Sequence, residues 1–416
     1  MLKRDLDLTH ATAVGLGAII GAGIFVVTGI AAGAAGPAFL LALLIAGLAA
    51  VCNALSSAEL AARYPLSGGT YEYGYQLLGP SLGFSAGWMF LASKLAAGGT
   101  VALGLGGYLS ELIPGLPPRA VAITVALLLT WANYSGIKKV GRINAFIVAV
   151  TILVLLYFIL AGIGSFDADN LQPFAPFGLR GVMEAAALFF FAYTGYARIA
   201  TLGEEVSEPR TTIPRAIILS IGISLFLYIA VCIVATGAVG SVALAGAPSP
   251  LARAARGWSW PWVVAVVGLG ATTAMVGVLL SQILGISRMM YAMARRGDLP
   301  AALGHLNVER GVPDRGIFLT GAVIVALAWF GTIEWVVSAA SFTILLYYTL
   351  TNLAALRMVV TDKLFPDWIA WLGLILCLLL SFSLKLQTVA FGLGLLGTGH
   401  VLRLLFRLDL HRRPDP

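Results

Sequence analysis

Two cationic side chains fall inside segments that are otherwise apolar enough to lie in a membrane. Lys94 stands in the run GWMFLASKLAAGG, and Arg198 follows the polar run YTGY. A charged side chain at the middle of a bilayer costs about 2.5 kcal/mol or more, so such a residue is a functional candidate by default. A buried lysine loses basicity, which would let Lys94 take up and release a proton or hold an anionic group. The alternative for Lys94 is a structural role, in which it snorkels to water or pairs with an acid.

The stretch GLGAIIGAGIF, residues 15–25, concentrates four glycines in an apolar segment. A dinucleotide-binding GxGxxG motif is disfavoured, because Ile20 stands where the third glycine belongs. Gly17 and Gly21 form a GxxxG pair, which is typical of close helix packing. That pair leaves Gly21-Ala22-Gly23 unexplained. An interrupted helix would expose amide donors and carbonyl acceptors there, which together suit the carboxylate and ammonium groups of an amino acid.

A second interruption is expected five spans later, in FFFAYTGYAR, residues 189–198. Thr194 and Gly195 are polar or small enough to leave a helix in the middle of a span. Interrupted helices at matching positions of two halves are typical of transporters built from inverted repeats. We therefore expect spans 1–5 and 6–10 to be the repeats and the last two spans to be peripheral.

Composition identifies the elements that must position these residues. Hydrophobic residues make up 59% of the 416 and charged residues 11%, against roughly 45–50% and 25% in soluble proteins. Apolar segments of about 20 residues predict membrane-spanning helices rather than a barrel of strands. The predicted spans are 14–33, 38–61, 83–110, 119–137, 143–164, 182–202, 215–239, 260–292, 315–331, 334–357, 367–383 and 386–406.

The placement of charged residues and the spacing of cysteines and histidines exclude further classes of function. Most lysines and arginines fall on the side of the N-terminus, which predicts two cytoplasmic termini and makes a nucleic-acid partner unnecessary for the net charge of +7. Three cysteines and four histidines show neither zinc-type spacing nor the HExxH motif. The sequence therefore predicts no metal centre, no catalytic triad and no enzymatic activity.

Three segments together resemble the amino acid-polyamine-organocation (APC) superfamily of transporters, of the bacterial and archaeal amino acid permease type. They are IGAGIFVVTG (20–29), AELAARYPLSGGTYEYGYQLLGP (58–80) and FFAYTGYARIATLGEEVSEPRTTIPRAI (190–217), and SRMMYAMARRGDLP (287–300) adds a fourth. The resemblance implies an all-α integral membrane protein with about twelve transmembrane helices and discontinuous helices 1 and 6. It also implies a LeuT-like 5+5 inverted repeat in one transporter domain, 1–416. Repeat one would cover about 12–164, repeat two about 181–357, and the peripheral helices 11 and 12 about 366–406.

The resemblance also implies roles for residues at the two interruptions. The amides of Gly21, Ala22 and Gly23 would bind a substrate carboxylate. The ammonium group would be bound by three carbonyl groups, those of Ile19, Phe191 and Thr194. The Phe191 ring would be an aromatic lid, and Gly195 would be the hinge.

The residues expected to couple transport to a proton or sodium ion differ from those of several members of the superfamily. Several proton-coupled relatives carry a lysine in helix 5, where this chain has Thr151. Lys94 in helix 3 could compensate, as a coupling or substrate-binding residue. Ser281 in helix 8 could instead complete a sodium site with carbonyls of helix 1. Arg198, which cannot practically shuttle protons, could pair with acids at the cytoplasmic end as an inner gate or reach water along a vestibule.

These features predict a permease that transports amino acids by alternating access, through proton-coupled uptake or exchange. Two added cations favour neutral or acidic substrates over cationic ones. A sodium-coupled symporter and a membrane amino-acid sensor without net transport remain alternatives. No cofactor is expected beyond a coupling proton or sodium ion. The expected partners are the amino acid, the lipid bilayer of the cell's inner or plasma membrane, and either a small single-span accessory protein or further copies of the chain.

Overall fold

The described part of the chain folds into helices, and its two longest connections between α-helices run over 163–177 and 296–313. The computed structural model describes residues 7–64, 68–136, 140–200, 206–260, 262–359 and 362–412, and it leaves the side chains of 140–145, 198, 200, 210 and 407–412 undescribed. Within these residues no β-strand is assigned, and the bridge whose two partners are both described joins Asn307 and Val312. The predicted all-α class is therefore confirmed for the described chain.

Sixteen α-helices can be numbered in chain order within the described residues. They are α1 (Leu8–Ile19), α2 (Thr28–Ala35), α3 (Phe39–Arg63), α4 (Thr70–Leu77), α5 (Pro80–Leu112), α6 (Pro118–Tyr134), α7 (Val140–Gly162), α8 (Gly178–Tyr193), α9 (Ala197–Ala200), α10 (Pro209–Ala245), α11 (Pro250–Ala255), α12 (Val263–Arg295), α13 (Asp314–Phe330), α14 (Ile333–Arg357), α15 (Asp367–Ser383) and α16 (Leu386–Arg412).

Seven helical segments of the described chain are long and apolar enough to cross a membrane. They are Leu8–Arg63, Pro80–Leu112, Phe146–Ser165, Thr211–Ala245, Val263–Arg295, Ile333–Arg357 and Leu386–Phe406. The first contains two of the twelve predicted spans. Four other predicted spans overlap α6, α8, α13 and α15, which have 16 or 17 residues. At 1.5 Å per residue such helices reach about 25 Å, which is near the lower limit for a span. The count of twelve stays a prediction.

Packing divides most long helices into two groups that meet around α14. The first group contains α1, α2, α3, α8 and α10, and the second contains α5, α6, α12 and α13. Small side chains allow close approach in the first group, because α3 buries Ala42, Ala46, Ala49 and Ala50. Large apolar side chains such as Leu128 and Phe226 lie exposed on outward faces. Exposure of this kind suits contact with lipid.

Candidate functional site

The first membrane segment is interrupted near its middle. Helix α1 ends at Ile19, and Ile20 has an extended conformation with φ −79° and ψ 102°. Helical structure resumes as a π-helical turn, Gly23–Val27, which leads into α2. Gly21 and Ala22 lie between the two parts, and both residues are buried. Helix ends carry backbone groups without partners inside the helix, so the interruption places amide donors and carbonyl acceptors inside the protein.

The second interruption is a 3₁₀ turn, whereas the first contains an extended residue. Helix α8 ends at Tyr193 and is followed by a 3₁₀ turn, Thr194–Tyr196, and then by α9. The backbone N–H of Thr194 donates to the carbonyl of Phe191, and the Thr194 hydroxyl donates to the same oxygen at 2.9 Å. Because a carbonyl oxygen has two lone pairs, the Phe191 carbonyl already has its full complement of donors.

The two interruptions touch through their backbones at two glycines. A Cβ atom on Gly195 would lie 2.2 Å from both the carbonyl carbon and the oxygen of Ala18. A Cβ atom on Gly23 would lie 2.7 Å from the Cα atom of Ala192. Only glycine allows backbones to approach this closely. The sequence therefore brings the end of α1 and the end of α8 into one small volume.

A tyrosine that the sequence analysis did not identify joins the two interruptions. Tyr228, from α10, donates its hydroxyl to the carbonyl of Ile19 at 2.9 Å, and the same hydroxyl lies 3.4 Å from the carbonyl of Ala192. Its ring packs against that of Tyr193, with 5.4 Å between ring centroids. The only signal in the sequence is a tyrosine within an apolar span. Nothing in the sequence places it beside residues that are 209 and 36 positions away.

Phe191 projects from α8 toward the second group of helices. Its half-buried ring packs on a cluster that contains Ala96 of α5 and Val336, Ala339 and Ala340 of α14. These small side chains leave room for an aromatic ring between α5 and α14. The side chain of Phe191 is therefore placed where movement of one group of helices against the other would displace it.

Lys94 lies on α5, about one turn from the level of the first interruption. A Cβ atom on Gly98 would lie 3.7 Å from the side chain of Leu279, which follows the Val278 that meets Gly21, and Lys94 is four residues, or about 6 Å, nearer the Pro80 end of the helix. The lysine is half-buried, and its ammonium nitrogen lies 5.7 Å from the centroid of the Phe90 ring. Such a contact contributes to holding the cation.

The structure separates Thr151 from Ser281. Ile147 of α7 packs on Gly277 of α12, and Val154 packs on Gly270. This antiparallel register puts Thr151 opposite Thr273, about 12 Å along α12 from Ser281. The Thr151 hydroxyl donates to the carbonyl of Ile147 within its own helix at 2.7 Å. Thr151 and Ser281 therefore do not share one site.

Ser281 lies about one turn from a residue that contacts the first interruption. A Cβ atom on Gly21 would lie 2.9 Å from the Val278 side chain, and Ser281 follows Val278 by three residues, which is about one turn. Its hydroxyl donates to the carbonyl of Val278 at 2.9 Å, which leaves the hydroxyl oxygen available as an acceptor. The side chain of Arg198 lies outside the described residues, and so do Glu204 and Glu205, the acids at the cytoplasmic end with which it could pair.

Metal-binding side chains are not clustered in the described part of the chain. No group of three or more histidine, cysteine, aspartate or glutamate residues could hold a metal ion there. Cys52, Cys232 and Cys377 are free thiols, and all three are buried. The chemistry of the site therefore rests on backbone groups and hydroxyls.

Comparison with known proteins gives the family. The family model for amino acid permeases matches residues 6–396. An uncharacterized transporter of Mycobacterium tuberculosis is 43% identical, over 96% of this chain and 90% of the relative. The branched-chain amino acid permease BcaP of Bacillus subtilis is 31% identical, over 97% and 93% of the two chains. The methylthioribose transporter of Bacillus subtilis is 35% identical, over 83% and 80%.

The family model matches almost the whole chain, and the structure has paired helix interruptions of the kind found in transporters. The chain is a multi-pass membrane transporter and not an enzyme, and it belongs to the amino acid permease family of the APC superfamily.

Proposed function

We propose that the protein is a secondary active transporter that carries amino acids across the membrane by alternating access. The observation that carries the proposal is the contact between the two interrupted helices, at Gly195 with Ala18 and at Gly23 with Ala192. Interrupted helices place amide donors and carbonyl acceptors together, and only a ligand with both an anionic and a cationic group uses both sets. An α-amino acid is the simplest such ligand.

The backbone groups can be assigned to the two ends of the zwitterion. We assign the substrate carboxylate to the amides of Gly21, Ala22 and Gly23, where the start of a helical segment favours negative charge. The Ile19 carbonyl accepts one hydrogen bond, from Tyr228, and so retains a lone pair for an ammonium group. The Phe191 carbonyl has two donors already. We therefore assign the ammonium to the carbonyls of Ile19 and Thr194.

The proposal also includes the number of membrane spans, the repeats and the orientation in the membrane. Twelve spans would form a LeuT-like fold, with repeats over about 12–164 and 181–357, in a single domain of 1–416 with α15 and α16 peripheral. Both termini would be cytoplasmic, in the plasma membrane. The charge asymmetry of the loops supports this orientation, because cytoplasmic loops are enriched in lysine and arginine.

Neutral or acidic amino acids are the proposed substrates. Lys94 and Arg198 add two positive charges to the predicted pathway, and an additional cation would be repelled in a medium of low dielectric constant. BcaP is named for branched-chain amino acids, which are neutral. The methylthioribose transporter is named for a sugar derivative, so methylthioribose belongs in any substrate panel.

Proton coupling or exchange is the proposed energy source, with Lys94 as the candidate proton carrier. Sodium coupling is the second possibility, and the position of Ser281 one turn from Val278 and Gly21 favours it. Sodium prefers oxygen ligands, and the Ser281 hydroxyl and helix 1 carbonyls would supply them. Thr151 has no part in that sodium site, because it lies about two turns from Ser281.

Uptake into proteoliposomes tests the proposed function. A panel of labelled amino acids and methylthioribose would be offered with and without a pH gradient, with and without sodium, and with the inside preloaded. Saturable uptake of at least one amino acid, driven by one of these conditions, is the expected result. Saturable binding with neither uptake nor exchange would instead indicate a sensor and would refute transport.

A further inference from the structure

A buried ion pair lies where three distant parts of the chain meet, outside the proposed substrate site. Asp298, just after α12, is fully buried. The Nε atom of Arg403, from α16, donates to its Oδ1 atom at 2.8 Å. The hydroxyls of Tyr71 and Tyr75, both from α4, donate to Oδ2, with Tyr71 at 2.8 Å. The carboxylate thus binds both a helix from the C-terminal part of the chain and a loop helix from its first fifth.

Arg403 is itself almost fully enclosed. Only 7% of the residue is exposed. Its Nη2 atom donates to the Tyr75 hydroxyl at 2.7 Å, and its guanidinium carbon lies 4.8 Å from the centroid of the Phe84 ring. Breaking a buried pair by removing one partner is strongly destabilising, because the other charge is left uncompensated. The arrangement therefore depends on Asp298 and Arg403 together.

A second ion pair covers the first. Arg296 donates from Nη2 to Oε2 of Glu72 at 2.6 Å. Its guanidinium carbon lies 5.0 Å from the ring centroid of Tyr71 and 4.4 Å from that of Tyr75. Burial and the bond to Asp298 raise the pKa of Tyr71, so its hydroxyl stays protonated and remains a donor. Two layers of contacts therefore hold α4 to the end of α12.

The N-terminal end of α4 is held by α14. The hydroxyls of Thr70 and Thr351 lie 2.8 Å apart, and the backbone N–H of Thr70 points to the Tyr347 hydroxyl at 3.4 Å. Tyr73 is buried in a cluster that includes Ala354 and Met358. Both ends of this short helix are thus fixed to α12, α14 and α16.

Helix α16 is also bonded to α5 at two points. The Trp88 indole N–H donates to the carbonyl of Leu395 at 2.8 Å, and the Ser85 hydroxyl lies 2.9 Å from Nε2 of His400. These contacts and Arg403 follow one side of α16 toward Asp298. A helix that the sequence analysis expects to be peripheral therefore supplies the counter-charge for the buried junction.

We propose that the Asp298–Arg403 pair is a fixed anchor that makes α4 part of the α5–α12–α14–α16 unit throughout the transport cycle. When the two helix groups move relative to each other, α4 stays with this unit and does not act as a gate that swings away from α12. The anchor is built by α16, which gives that helix a role in the mechanism.

The first test needs no substrate and is independent of the proposed function. Thr70→Cys places a thiol at a residue that is 2% exposed, in a background whose native cysteines are buried. Its rate of labelling by a water-soluble maleimide should be low and should rise about tenfold or more in Asp298→Asn or Arg403→Met, because each leaves a buried charge unpaired. The exposed position Gln76→Cys is the labelling control. Lys363→Met, which breaks the partly exposed pair with Asp367, is the matched charge control.

The double variant Asp298→Asn/Arg403→Met distinguishes the effect of an unpaired buried charge from a general loss of folding. It removes both charges, so its labelling rate should be lower than that of either single variant. Equal labelling of all variants and the parent would overturn the anchor. Rapid labelling of the parent would also overturn it, since α4 would then open without any substitution.

The second test distinguishes an anchor from a moving gate. Glu72→Cys/Arg296→Cys would be joined by a short bifunctional thiol reagent across the existing ion pair. Uptake into proteoliposomes should stay within about twofold of the same variant before cross-linking, because a fixed contact is merely replaced. Loss of uptake on cross-linking would overturn the proposal. Absence of uptake by the unsubstituted protein would count against the proposed function instead, and the labelling result would still decide the anchor.

Discussion

Replacement of Gly195 by alanine tests the contact between the two interrupted helices most sharply. The new Cβ atom would lie 2.2 Å from the carbonyl carbon and oxygen of Ala18 and 2.4 Å from the backbone nitrogen of Ile19. Ordinary van der Waals contact begins at 3.4 Å, so the backbones must separate by about 1.2 Å. All three atoms belong to the main chain, so no rotation of a side chain can relieve the contact.

The size of the expected effect follows from known costs of overpacking. Forcing an extra methyl group into a closely packed site costs about 1–3 kcal/mol, which corresponds to about 5- to 150-fold in an equilibrium or rate constant. The displaced backbone leads directly into the Ile19 carbonyl, to which we assign the substrate ammonium. We therefore expect the transport efficiency of the best substrate to fall by one to two orders of magnitude.

The assay is initial-rate uptake into proteoliposomes, with the amount of folded protein measured by size-exclusion chromatography. Gly222→Ala is the matched control, because a Cβ atom there meets nothing within 4 Å and alanine is the better helix former. The control should keep parental uptake. If Gly195→Ala also transports within about twofold of the parent, the account of a shared backbone site at the two interruptions is wrong.

Three further predictions concern the Tyr228 hydroxyl, Lys94, and the pair of His305 with Asp314 at the start of α13. Tyr228→Phe keeps the ring but removes the donor to Ile19, so substrate affinity should fall about 2- to 12-fold, the range of one net hydrogen bond; unchanged affinity would show that the bond has no role. Lys94→Gln should abolish the pH dependence of uptake, and an unaltered profile would make Lys94 structural. The hydrogen bond from His305 holds the pKa of Asp314 below its usual range. The stability that this bond gives is therefore present above the unfolded pKa of about 3.9, and it is lost as the pH falls through the lower folded pKa. Asp314→Asn should accordingly lower the melting temperature at pH 7 but not at pH 2, and equal melting temperatures at pH 7 would contradict this.

The sequence predicted the helical class and the position of the first interruption for identifiable reasons. Apolar segments of about 20 residues have few alternatives to helices in a membrane. Gly21 and Gly23 weaken a helix, and the GxxxG pair in the sequence accounts for Gly21 but not for Gly23. Both signals are local, so they could be identified without knowledge of the tertiary structure.

Contacts between distant parts of the chain could not be predicted in this way. The bond from Tyr228 to Ile19 depends on how α10 crosses α1, and the Asp298–Arg403 pair depends on where α16 lies against α5. The separation of Thr151 from Ser281 depends on the register between α7 and α12, which the spacing of apolar residues does not fix. At the second interruption, where Thr194 and Gly195 were expected to leave the helix, the bond from the Thr194 hydroxyl to the Phe191 carbonyl accompanies a 3₁₀ turn that the sequence did not predict.

The most direct test of the central claim compares one transported amino acid with two analogues in proteoliposomes. One analogue carries an amide in place of the carboxylate, and the other lacks the α-amino group. The account predicts that excess unlabelled amino acid blocks uptake of the labelled form, whereas neither analogue does so at the same concentration, because each leaves one set of backbone groups around Gly21–Gly23 or Ile19 and Thr194 without a partner. Equal inhibition by either analogue would contradict recognition of the zwitterion at the two interruptions.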